Sequence, residues 1–153
     1  MVNYEREKVN LGKISKFLEK MRINHQFQDI KNGDNETVPI IDAVFQYEDL
    51  KFRLKIRNLE DWIVTKCLIM DFSDFPADKV LTLFRLGLEL NYILPETTFS
   101  VFDNEFYIES DMPLHGKFED FQIEWHSITI GLDRFLAAMG DDESIRERLG
   151  RLK

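Results

Sequence analysis

With 153 residues, 44% of them hydrophobic and 31% charged, the chain has the length and composition of one folded domain, which excludes wholesale disorder. A net charge of −8 argues against nucleic acid as a partner, because neutralising phosphates takes a basic surface. Cys67 is the only cysteine, the N-terminal residues contain no apolar signal stretch, and no apolar run approaches the roughly 18 residues of a membrane span, so the sequence predicts a cytoplasmic chain without disulfides or membrane contact.

In chain order, Leu11, Ile14, Phe17, Leu18 and Met21 recur at helical spacing, predicting a first helix with Asn10 as its N-cap. His25–Ile30 and a strand over Val38–Tyr47 flank a polar turn containing Asn32-Gly33. Leu50–Arg57 alternates strictly: Leu50, Phe52, Leu54 and Ile56 point one way, Lys51, Arg53, Lys55 and Arg57 the other. Trp62–Met70 is apolar at both parities and predicts an interior strand covered at least in part on its second face. Ser73-Asp74-Phe75-Pro76 opens a second helix reaching about Asn91. A hairpin turns at Asp103-Asn104, and a last helix spans about Phe118–Met139. Residues 140–153 read as a charged tail beyond an ordered core of about 11–139, although Ile145, Leu149 and Leu152 have helical spacing. The order helix, three main strands, helix, two-stranded hairpin, helix predicts one domain of the α+β class with an antiparallel sheet.

Two local stretches carry a family resemblance. The first is Pro76–Phe102, a helix ending Leu88-Glu-Leu-Asn91, a Pro-containing link, and the strand Phe99-Ser-Val-Phe102. The second is Asp111-Met112-Pro113-Leu114, ahead of the last helix. With the order of elements over about Leu11–Met139, they resemble the type III secretion chaperone-like superfamily, including Tir-chaperone and YbjN-type domains. The resemblance implies a homodimeric, non-enzymatic domain that binds extended or partly folded segments of another protein.

Candidate functional residues fall into two groups. The second helix has a narrow polar stripe of Asp78, Thr82, Arg85 and Glu89 and is apolar elsewhere, more than one buried face requires. We expect Val80, Leu81, Phe84 and Leu88 to face the sheet and Leu83, Leu86 and Leu90 to form a second interface, with a dimer mate or with another helix of the same chain. The other group is the cationic row Lys51, Arg53, Lys55 and Arg57. If Val44, Trp62, Val64 and Leu68 share its side, an apolar strip lies beside a basic one and suits a protein or peptide segment. The same alternation also serves simply to keep a sheet soluble. A third possibility follows from the uneven charge, since Glu89–Asp133 holds ten acids and one base: the basic row can meet the acidic half of a dimer mate. His25, His115 and His126 show no metal-ligand spacing, no phosphate-binding or nucleophile motif is present, and no cofactor is implied. A pocket near His126 or His115 is the enzymatic or small-molecule alternative.

Overall fold

Helix α1 (Tyr4–Lys20) leads into four consecutive strands, β1 (His25–Lys31), β2 (Thr37–Tyr47), β3 (Leu50–Leu59) and β4 (Trp62–Asp71), in the computed structural model, which describes residues 2–150. Helix α2 (Ala77–Ile93), the hairpin of β5 (Thr98–Phe102) and β6 (Glu105–Pro113), helix α3 (Phe118–Met139) and a short α4 (Glu143–Arg146) follow. The six strands form one sheet in the order β1-β2-β3-β4-β6-β5. Every pairing is antiparallel, as expected of this α+β chain, but four strands rather than three precede α2, because His25–Lys31 pairs along its whole length with β2. The chain leaves β4 for α2 and returns through β5, so β6 lies beside β4 and β5 forms the outer edge.

The helices gather on one sheet face. Ile41 and Ala43 of β2, Phe52, Leu54 and Ile56 of β3, Cys67 of β4 and Phe106 and Ile108 of β6 join Leu11, Ile14 and Leu18 of α1 and Phe121, Ile128, Leu132 and Phe135 of α3 in one core. Two glycines set how closely the helices approach. A Cβ on Gly131 would stand 2.8 Å from Thr97 Cγ2, and one on Gly87 would stand 3.1 Å from the Phe106 ring. An alanine at Gly131 would force a shift against Thr97, and one at Gly87 would press on the Phe106 ring, so both glycines favour close packing of their helices.

Hydrogen bonds hold the turns. Asn91, in the stretch that resembles the family, clamps the end of α2 to β5: its Oδ1 accepts from Phe99 N at 2.6 Å and its Nδ2 donates to Phe99 O at 3.1 Å. Asp103 and Asn104 adopt positive φ at the β5–β6 turn, which short polar side chains tolerate best.

Both boundaries of the predicted core move outward. Helix α1 begins at Tyr4 with Asn3 as its N-cap, accepting from Arg6 N. Asn10 sits within the helix and donates to Asn58 Oδ1 at 2.8 Å. At the other end Ile145 and Leu149 are buried in the core, so residues 140–150 are part of the packed domain. Asp142 caps α4 and forms an ion pair with Lys79 at 3.1 Å. Hydrogen bonds from Ser144 first, and from Lys79 second, hold the Asp142 carboxyl at about 2. Leu152 lies outside the described residues.

Candidate protein-binding surface

Because side chains alternate across a strand, the register assigns each residue to a face. Val44 pairs with Arg53 and Asp42 with Lys55 across β2–β3. Arg57 pairs with Val64, Lys55 with Lys66 and Leu59 with Trp62 across β3–β4. By strand parity Val44, Trp62, Val64 and Leu68 therefore share the face of Lys51, Arg53, Lys55 and Arg57, opposite the helices, although the Arg57 guanidinium at the end of β3 reaches Glu7 of α1. On β6 the same face carries Asp111 beside Val64, Glu109 beside Lys66 and Tyr107 beside Leu68.

This face is only partly wet. Trp62 is 48% exposed and Phe102, at the outer edge, 74%; Val44, Val64 and Leu68 are half-buried. Toward β1 it closes, and Val38, Ile40 and Asp42 are buried. Beyond the irregular pairing at Leu68/Met70, Ile69 and Met70 are both buried. Met70 pairs with Phe106 and both Ile69 and Met70 join the core on the helix side, so the second face of Trp62–Met70 is covered only in part, at half-buried Val64 and Leu68.

The charges are not equivalent. Arg53 Nε lies 3.4 Å from Asp42, Arg57 Nε 3.8 Å from Glu7 and Lys66 Nζ 2.9 Å from Glu109. Lys51, Lys55 and Asp111 are exposed and make no ion pair among the described residues. The available positive charge of β3 is therefore mainly Lys51 and Lys55.

Helix α2 is turned relative to expectation. Leu83 and Leu90 are buried with Gly87, and Leu86 is half-buried against the core. Leu83, Leu86 and Leu90 thus belong to the sheet side and not to a second interface. Leu81 and Leu88, assigned to the sheet, are 69% and 71% exposed. Val80 and Phe84 are half-buried, Phe84 lying edge-on to Phe72 with ring centroids 5.3 Å apart. The assignment is therefore corrected for Leu83, Leu86 and Leu90 and for Leu81 and Leu88, while Val80 and Phe84 pack against the core as expected.

Titratable groups elsewhere are mostly structural. His25 is held between Ser15 Oγ at 2.6 Å and Ile23 O at 2.9 Å. His126 is exposed on α3 with Thr129 as its hydroxyl neighbour. His115 lines an open groove of about 310 Å³ with Lys117, Asp120 and Glu124. A neighbouring cavity of about 270 Å³ contains Glu96, Glu109, Asp111 and Glu124. Burial first, and the charges of Glu96, Asp111 and Asp120 second, push Glu124 up to about 7. Burial likewise raises the Cys67 thiol far above its ordinary value, leaving an unreactive apolar side chain. No group of three or more His, Cys, Asp or Glu among the described residues is placed to hold a metal ion, and no helix among them is long and apolar enough to cross a membrane.

No protein-family model matches this chain, and neither does any curated protein.

Proposed function

We propose that this chain is a non-enzymatic protein-binding module, chaperone-like in the sense of the resemblance above, whose working surface is the open face of the sheet. The observation that carries the reading is the pattern on that face: an exposed Trp62 and half-buried Val64 and Leu68 along β4, flanked by bases on β3 and acids on β6. An aromatic anchor with charged flanks suits a protein surface, where the anchor supplies affinity and the flanks set the partner's orientation. A nucleic acid fits poorly, because Glu109, Asp111 and Asp42 stand beside the bases on the same face.

The test is retention of proteins from a lysate of its own cells by the immobilised chain, compared with Trp62→Ser. Trp62 is half-exposed on the open face, so the variant should keep its far-UV circular dichroism and lose retained protein at low salt. Identical retention by the folded variant would contradict the reading. The resemblance to a chaperone-like family supports a homodimer as the form in which the module works.

A further inference from the structure

The geometry points to a second copy of this chain as the occupant of the open sheet face, packed face to face about a two-fold axis that runs along β4. The inference rests on that face being a docking surface, and the order of its strands carries it. β3 and β6 lie on opposite sides of β4, each about 4.8 Å away. One row across the face reads Arg57, Val64, Asp111, and the next Lys55, Lys66, Glu109. The charge pattern is therefore antisymmetric about β4, with bases on one flank, acids on the other and a largely apolar strand between.

A two-fold axis parallel to β4, lying between two facing sheets, keeps each row opposite its own copy and exchanges the flanks. β4 then meets β4, joining Trp62 and Val64 to their equivalents. The β3 of each copy meets the β6 of the other: Arg57 comes opposite the second copy's Asp111 and Lys55 opposite its Glu109, while Lys66, paired with Glu109 of its own copy, lies on the axis facing its equivalent. Self-complementarity of this kind is what an isologous interface requires. The roughly 30° rotation between aligned packed sheets shifts the rows slightly, within the reach of lysine and glutamate side chains. The five strands that overlap about this axis, β2-β3-β4-β6-β5, lie about 4.8 Å apart and are roughly 24 Å long, offering on the order of 550 Å² per copy, below the about 800 Å² per partner of standard interfaces. Within these two rows, Lys55 and Asp111 make no ion pair among the described residues, and this arrangement gives each a partner of opposite charge in the second copy, Glu109 and Arg57.

Sedimentation of Lys55→Glu, of Glu109→Lys and of their equimolar mixture tests the arrangement. In either variant alone like charges meet twice per dimer, and association at low salt should weaken by about tenfold or more. In the mixture, the two substituted side chains, one from each variant, meet with opposite charge. The native Lys55 and Glu109 form the second pair, so a heterodimer should recover to within about threefold of native affinity. Recovery on mixing also shows that neither variant had merely lost its fold. Three results would overturn the second-copy assignment: a monomer at every concentration, a dimer unaffected by both reversals yet lost in Leu88→Asp, or no recovery on mixing. If the chain is monomeric but Trp62→Ser still abolishes retention of another protein, only this assignment falls. Retention indifferent to Trp62→Ser removes the docking reading beneath it.

Discussion

Glu124 lies where α3 passes the end of the sheet, facing Glu96 on the β5 approach, Asp111 on β6 and Asp120 one turn earlier on its own helix, and it is partly withdrawn from water. In the unfolded chain it ionises near its ordinary 4.5, whereas in the fold it keeps its proton to about 7. Between those values the folded chain binds the extra proton. The stability Glu124 contributes is therefore present below about pH 4.5 and is lost as the pH rises through about 7. Glu124→Gln removes that ionisation. After a large discount for solvent screening, the variant should be about 1 kcal/mol more stable than native at pH 8, with little difference near pH 4.5. Urea titrations at both values check this, and an equal effect at the two would contradict it.

At the scale of elements, the strands were far more legible than α2. Strict alternation in Leu50–Arg57 separates two faces without ambiguity, and a one-residue error would have inverted the whole strand. The same parity placed Val44, Trp62, Val64 and Leu68 with the basic row. Helix α2 has apolar residues around most of its circumference, so its pattern does not fix its rotation. The deciding residue is Gly87, buried between Leu83 and Leu90 against Phe99 and Phe106. It contributes no apolar side chain, so hydrophobicity underweights the face on which it sits, while its missing Cβ lets that face dock. The consequence is a contrast between two leucines. Leu83→Ala should cost about 2–5 kcal/mol as a fully buried truncation, and Leu88→Ala within about 0.5 kcal/mol of nothing. Chemical denaturation of the two variants measures the difference, and the reverse ranking would restore the rotation expected from sequence.

For the whole molecule, element order was sufficient for the α+β class and the antiparallel sheet. The charge plan of the open face was not accessible in the same way. It depends on β6 lying beside β4, a pairing made only after the chain has passed through α2 and β5. The packing of residues 140–150 was hidden for a related reason: Ile145 and Leu149 are isolated among charges, and only the tertiary fold shows that they reach the core. The molecule that results is two-layered, with helices on one side and Trp62 on the other. The remaining tryptophan, Trp125, is buried beside Phe45 and Phe121, so Trp125→Phe leaves Trp62 as the single reporter of the open face. The most direct measurement is acrylamide quenching of that reporter as protein concentration is raised through the association range. Face-to-face assembly predicts falling quenching and a blue-shifted emission as dimer forms; unchanged quenching while dimer accumulates would place the interface elsewhere and contradict the account.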